Sequence, residues 1–271
     1  MENERLLKQM LADMLRWFHT FCEAHDLRYY ALGGTMLGAV RHQGFIPWDD
    51  DVDLGMPRRD YLRFWSLMTE NPHPRYRLET PFSEKEAFCY AFSKVYDTKT
   101  TLIENTRSKI RRGIYLDIFP LDGIGDSERE AARLHRPILR RVQLLLALTT
   151  GIRRERSFVK NAAVYLLRPV PQKRLKQLLQ RQLHRLCAMR DFDSCIWCGN
   201  LTGNYGPRER MPRAFFGTGA LYAFEDFEIY GPEQWDAYLT HLYGNWRQLP
   251  PPEKQKSHHD FCLVDLTKGY L

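Results

Sequence analysis

The stretch LGGTMLGAVRHQGFIPWDDDVDLGM, Leu32 to Met56, decides how the chain is read. It starts where the apolar run Arg28–Leu32 (RYYAL) gives out at Gly33-Gly34-Thr35. It ends in Asp51–Met56 (DVDLGM), where acidic and apolar side chains alternate. The first run reads as a short buried strand, Met36–Arg41 as a helix-like stretch, Gly44 and Pro47 as a turn, and Asp51–Met56 as a second strand. Alternate side chains on a strand share a face, so Asp49, Asp51 and Asp53 are predicted to point together, with Asp50 and Val52 pointing away. Carboxylates crowded in this way repel. Phe45, Ile46, Trp48, Val52 and Leu54 around them leave little water for screening. A divalent cation relieves the repulsion, and oxygen-only ligands suit Mg2+, Mn2+ or Ca2+.

Two other readings of the acidic run exist. One is a solvated acidic turn. The other is an EF-hand loop with Asp49, Asp51 and Asp53 at its first, third and fifth positions. That loop needs Gly at the sixth position and Glu at the twelfth; here these are Leu54 and Asp60, and Pro57 falls inside. The Gly-Gly turn upstream favours a third reading. A strand, a Gly-Gly turn and a helix N-terminus expose backbone N–H groups that can hold phosphate. A cradle at Gly33, Gly34 and Thr35 beside an acidic strand supplies the backbone donors and the cation that phosphoryl transfer requires. Further on, YLDIFPLD (Tyr115–Asp122) carries Asp117 inside an apolar strand. A buried carboxylate is expensive unless it is partnered. Its partner is either a Lys or Arg, or a cation shared with Asp51 and Asp53.

The rest of the chain is read outward from these strands. Residues 5–24 form an amphipathic helix, with Leu7, Met10, Leu11, Met14, Trp17, Phe18 and Phe21 at helical spacing. Pro57 fits the first turn of a helix over Arg58–Met68. Phe88–Tyr96, Thr100–Glu104 and Gly113–Phe119 are strand candidates. The chain has 271 residues, 44% of them apolar, enough for one or two domains with a sizeable core. No apolar stretch reaches 18 residues, which excludes a transmembrane helix, and the charged N-terminus lacks a secretory hydrophobic region. A cytoplasmic location is expected.

The net charge of +7 is unevenly placed. Ser127–Arg190 holds sixteen Lys/Arg against three Asp/Glu, a net of +13, which leaves −6 for the remainder. This segment reads as two or three helices broken at Thr149–Gly151 and Pro169–Pro171, and it favours an anionic neighbour. The organisation expected is an α+β core in two blocks, 1–126 and 199–271, with a basic helical insert over 127–198. Aromatics in the insert are sparse (Phe158, Tyr165), which argues against nucleic acid. Leu144, Leu145, Leu146 and Leu148 beside Arg140, Arg141, Arg153 and Arg154 suit a helix on an anionic bilayer; an ordinary helical cap is the alternative.

Several single residues complete the candidate set. Arg41 and His42 follow the helix after the Gly-Gly turn. The Arg41 fork suits phosphate oxygens, and the alternative is a charge complementing the helix end. Lys94, among aromatics, either reaches a cleft to neutralise phosphate or guards a sheet edge. Cys195-x-x-Cys198, with Cys187 and His184 nearby, suggests zinc, but no second pair of ligands follows at suitable spacing, and a zinc site is not expected.

Leu32–Met56, continued to Arg59-Asp60-Tyr61, strongly resembles the LicD family, phosphocholine transferases of bacterial surface glycans related to the fukutin-type ribitol-phosphate transferases. LDIFPLD around Asp117 matches the later acidic strand of that family. The tail from Tyr230 to His259 is similar to its C-terminal pattern, His258 and His259 matching a late histidine. The resemblance covers 27–122 well and 199–259 moderately. It implies a nucleotidyltransferase-like mixed β-sheet flanked by helices. It also implies Asp51, Asp53 and Asp117 as catalytic, metal-binding acids with Asp49 beside them, and Mg2+ or Mn2+ as cofactor. The implied reaction moves a substituted phosphate, such as phosphocholine, from a CDP-activated alcohol to a sugar hydroxyl of a surface glycan or its lipid-linked precursor. CMP is released, and Asp117 assists deprotonation of the acceptor. Nucleotidyl transfer and a non-catalytic membrane scaffold are the alternatives.

Overall fold

The strand β7, Tyr115–Gly125, is buried along its whole length, and the main sheet is built around it. The computed structural model describes residues 2–83, 90–105, 109–149, 162, 165, 166, 169–187, 190–203, 205–257 and 261–271. Leu116, Ile118, Leu121 and Ile124 give β7 the near-continuous apolar character of a strand covered on both faces. β2 (Asp53–Pro57) runs parallel to it with Asp53 level with Asp117. β4 (Ser93–Asp97) runs antiparallel on the other side with Lys94 level with Asp117. β1 (Tyr30–Ala31) and β3 (Tyr76–Glu79) complete the order β1-β2-β7-β4-β3. The far end of β7 pairs with β8 (Trp197–Gly199), and β8 with β9 (Arg210–Pro212).

Pro120 lies within β7, where a proline cannot donate to a ladder. Successive N–H groups point to alternate edges, and the Asp117 amide points to Val52 on the β2 side. Pro120 therefore turns its missing donor to the opposite edge. There the pairing with β4 stops at Ile118 and the pairing with β8 starts at Asp122.

Smaller units flank this sheet. β5 (Thr101–Glu104), β6 (Arg111–Arg112) and β12 (Phe261–Asp265) form one, and the hairpin β10 (Ala220–Phe224) with β11 (Phe227–Gly231) another. The helix α1 (Glu2–Ala24) buries Leu11, Met14, Leu15 and Phe18 in the main core. α2 spans Gly33–His42, and α3 (Arg58–Glu70) buries Tyr61, Phe64 and Met68. α4 (Glu128–Thr149) and α5 (Gln172–Cys187) make a second apolar cluster in which Val142, Leu145, Leu175, Leu179 and Leu183 meet Ile124 of β7 and Leu201. α6 covers Trp235–Tyr243.

Element types agree with the sequence reading more often than element ends do. The helix expected at Met36 begins at Gly33, and the strand expected over Arg28–Leu32 shortens to two residues. The strand expected from Asp51 begins at Asp53, because a turn closed by the Asp49 amide on the Ile46 carbonyl (3.0 Å) holds the preceding acids out of the sheet. Pro57 closes β2 and precedes the first turn of α3. The strand expected over Phe88–Tyr96 occupies Ser93–Asp97, and residues 84–89 lie outside the described ones. Gly113–Phe119 gives way to a longer strand whose second half is stabilised by β8. Of the expected insert, Trp197 and Cys198 belong to this sheet, and Thr150–Asn161, with Arg153 and Arg154, lie outside the described residues.

His135, on the buried side of α4, is 1% exposed, and its Nε2 has no hydrogen-bond partner among the described residues. Burial, with Arg210 nearby, pushes its pKa down to about 4. An unfolded imidazole takes its proton near pH 6.5, so between these values the unfolded chain binds more protons. Stability should fall as pH drops from about 6.5 towards 4, by up to about 3 kcal/mol from this residue. As pH is lowered through that window, wild type should therefore lose stability relative to His135→Leu, read from denaturation midpoints. Parallel curves would show that His135 does not titrate this way.

Candidate active site

Gly33 opens α2 with φ +51°, in the left-handed region that glycine adopts without strain. Its amide donates to the Tyr238 hydroxyl on α6 (2.9 Å). A Cβ on Gly33 would lie 3.3 Å from Asp53 Oδ2, and one on Gly34 only 2.5 Å from Asp49 Oδ2. The Gly-Gly pair thus admits two carboxylates to the positive end of a helix. Thr35 Oγ1 accepts the Asp53 amide (2.8 Å), which fixes the start of β2 against α2. Of the cradle groups read from the sequence, the Gly33 amide and the Thr35 hydroxyl are thus engaged within the protein.

Asp49, Asp50 and Asp51 each offer a carboxylate oxygen, all within 4.8 Å of one another. Asp50, expected to point away, joins this group because residues 49–52 do not alternate as a strand would. It also accepts from Ser257 Oγ (2.7 Å). Asp51, Asp53 and Asp117 line one cleft, enclosing about 530 Å3 including its open mouth, together with Glu209, Tyr205 and Phe92. Burial pushes the Asp53 carboxyl well above the usual carboxylate range, and Asp51, Asp117, Asp49 and Glu209 push it further. A proton or a cation relieves this. The donors are all carboxylate oxygens, which fits a hard divalent cation such as Mg2+.

Lys94 is buried, with Nζ 3.0 Å from Asp117 Oδ1, 3.4 Å from Glu104 Oε1 and 3.2 Å from the centre of the Tyr115 ring. Burial opposes its charge, but Asp117 and Glu104 outweigh burial and raise its pKa. Lys94 therefore meets the cleft through Asp117. The ion-pair reading of Asp117 is realised, while the same carboxylate also lines the cleft. Arg41 and His42 lie at the far end of α2, roughly 12 Å along the axis from Gly33. Arg41 donates to the Trp246 carbonyl, and His42 is exposed. The structure does not bring these two to the cleft wall. His258 and His259 lie outside the described residues, as does the side chain of Cys187. Cys195 and Cys198 are buried at β8, Cys198 level with Gly123.

Sequence reading missed Glu209, Tyr205 and Tyr238. The first two lie in Gly199–Arg213, read only as a loop, although Glu209 is the one acid in that glycine-rich stretch. That signal could have found it.

Thr35→Val should leave the Asp53 amide unpartnered and lower stability by about 1–3 kcal/mol, while Thr35→Ser should restore it. Thermal melts of the two variants test this. Equal melting of Val and Ser variants would show that the hydroxyl does not hold β2.

The chain is similar to known proteins in three ways. Residues 26–135 match the family described as LicD/FKTN/FKRP, nucleotidyltransferase domain. The lipopolysaccharide cholinephosphotransferase LicD of Haemophilus influenzae is 29% identical over 253 residues, 91% of this chain and 92% of that protein. The ribitol 5-phosphate transferase FKRP of mouse, like that of human, is 46% identical over 50 residues, 18% of this chain and 10% of that protein. A domain match that spans both acidic strands, with a relative aligned over most of its length, makes this chain similar to the LicD proteins.

Proposed function

We propose that this LicD-like phosphotransferase moves a substituted phosphate, such as phosphocholine, from a CDP-activated alcohol to a sugar hydroxyl of a surface glycan or its lipid-linked precursor, releasing CMP. The observation that carries this reading is the shared cleft of Asp51, Asp53 and Asp117, with Asp53 level with Asp117 across β2 and β7. Asp51, Asp53 and Asp117, with Asp49 beside them, would hold Mg2+ or Mn2+, which when bound neutralises charge on the diphosphate of the donor. The N-terminal end of α2 faces the same carboxylates and sets where the diphosphate lies. Lys94 holds Asp117 in place. The similarity to a cholinephosphotransferase over nearly the whole chain supports phosphocholine as the group moved.

Asp51→Asn and Asp53→Asn should each abolish CMP release from CDP-choline or CDP-ribitol. Each should leave apo stability unchanged or raised, since a charge leaves a repulsive cluster, and the Mg2+-dependent rise in melting temperature should disappear. Variants that keep the wild-type Mg2+ shift would move the metal elsewhere. Release of pyrophosphate from CTP and phosphocholine would favour nucleotidyl transfer instead.

We further propose that the enzyme works in the cytoplasm at the inner face of the membrane, with the basic helices turned to anionic lipid. Among the described residues no helix is long and apolar enough to cross a membrane. α4 exposes Arg133, Arg136, Arg140 and Arg141 with Leu144, and α5 exposes Arg174, Arg181 and Arg185 with Leu178. Each such cation contributes about 1 kcal/mol near an anionic surface, within a Debye length of about 8 Å. Binding to anionic vesicles should weaken as salt rises, and Arg140→Gln with Arg141→Gln should reduce it while sparing CMP release. Equal binding to neutral vesicles would exclude the electrostatic reading.

A further inference from the structure

Glu209 ends the turn Gly206–Glu209 and lines the cleft with Asp51, Asp53 and Asp117, although it is only 8% exposed. The loop before it is shaped around its carboxylate. Oε1 accepts the Tyr205 amide (3.2 Å), and a Cβ on Gly203 would lie 2.0 Å from the same oxygen. Among the described residues no ion pair is made to Glu209. α4 packs against this turn from outside, Leu139 lying against Gly206. A carboxylate that is buried, positioned by a backbone donor, open to the cleft and held in no ion pair among the described residues is built to exchange a proton.

The other acids of the cleft are otherwise engaged. Asp117 is held by the Lys94 ammonium at 3.0 Å. Asp51 belongs to the tight group with Asp49 and Asp50, and Asp53 lies against the end of α2. The charged and titratable groups that act on Glu209 are Tyr205 and Arg208 of its own turn, Asp53 of β2 and Tyr238 of α6, while Arg210 of β9 acts on His135 of α4. Burial raises the Glu209 pKa to about 7, since the Tyr205 amide and Arg208 oppose it only in part. A base poised near the working pH is the most effective one.

We propose that Glu209 is the general base that takes the proton from the acceptor hydroxyl. This rests on the transfer reading above. The acceptor oxygen forms a bond to the phosphorus that carries the alcohol, the bond from that phosphorus to the oxygen bridging to CMP breaks, and CMP leaves with the electron pair. The proton of the acceptor passes to the Glu209 carboxylate and then to solvent. Glu209 thereby takes the role that sequence reading gave to Asp117, and Asp117 keeps its place in the acidic cluster.

The test is CMP release from CDP-choline with Mg2+, using the full chain and water as the acceptor, in wild type, Glu209→Gln and Glu209→Asp. Gln keeps an oxygen for the Tyr205 amide and cannot take the proton. Its kcat should fall about 100- to 1000-fold, with the KM for CDP-choline within threefold of wild type. The wild-type rate should rise with pH to a plateau as Glu209 loses its proton, and the Gln variant should lack that inflection. The Asp variant should recover part of the rate together with a pH inflection, which keeps the test decisive if Gln folds poorly. A Gln variant with wild-type kcat, or one that keeps the inflection, overturns the role of Glu209 alone. So does loss of CDP-choline binding in both variants, which would mark Glu209 as a support for the loop. A wild type that releases no CMP from CDP-choline or CDP-ribitol overturns the transfer reading as well.

Discussion

Asp53, Asp117 and Lys94 stand in one row across β2, β7 and β4. Neighbouring strands are roughly 4.8 Å apart, so two carboxylates and an ammonium are forced together in a setting with little water. Only one of the two carboxylates is matched by the lysine, and Asp51 and Asp49 add to the excess. Like charges so placed cannot all stay ionised without a further cation. The surrounding structure is arranged around that excess. Thr35 pins the Asp53 amide, the two glycines clear space for Asp53 and Asp49, and Tyr238 anchors the end of α2.

The same strand shows how a buried acid is handled when its role is structural. Asp122, five residues beyond Asp117, is held by the Arg58 guanidinium through Nε at 2.8 Å and Nη2 at 2.6 Å. That fork satisfies both oxygens and ties α3 to β7; removing one partner of such a buried pair commonly costs about 3–5 kcal/mol. Asp117 is held by the Lys94 ammonium, which it shares with Glu104, and an open cleft lies beside it. Two acids of similar sequence surroundings, LDIF and LDGI, thus differ by what the neighbouring elements bring to them.

The basic helices are tied to this centre. The apolar sides of α4 and α5 close over Ile124 of β7 and Leu201, and that leaves their arginines outside. Because α4 also packs against the turn that carries Glu209, the most basic part of the chain is joined to the cleft wall. Charge on the outer face and geometry at the inner face come from the same amphipathic pattern.

The sequence by itself determined the local elements and the kinds of side chain available to the cleft. Periodicity gave α1, Pro57 marked the start of α3, the Gly-Gly-Thr turn pointed to a helix close behind it, and three acids in two apolar strands announced a cluster needing a cation, because local patterns and charge repulsion do not depend on long-range contacts. Tertiary structure decided the partners. Strand register put Lys94 beside Asp117 and Asp53 level with both, although 41 residues or more separate Asp53 from either in the chain. The turn at Ile46–Asp49 turned Asp50 into the acidic group against the alternation of a strand. Arg41, a good phosphate ligand by type, donates to the Trp246 carbonyl, a partner that only the folding of a distant segment brings to it. Glu209 acquired its place only when a loop more than eighty residues downstream of Asp117 folded back onto the cleft. Burial depends on which distant segments meet, and no local pattern encodes that meeting.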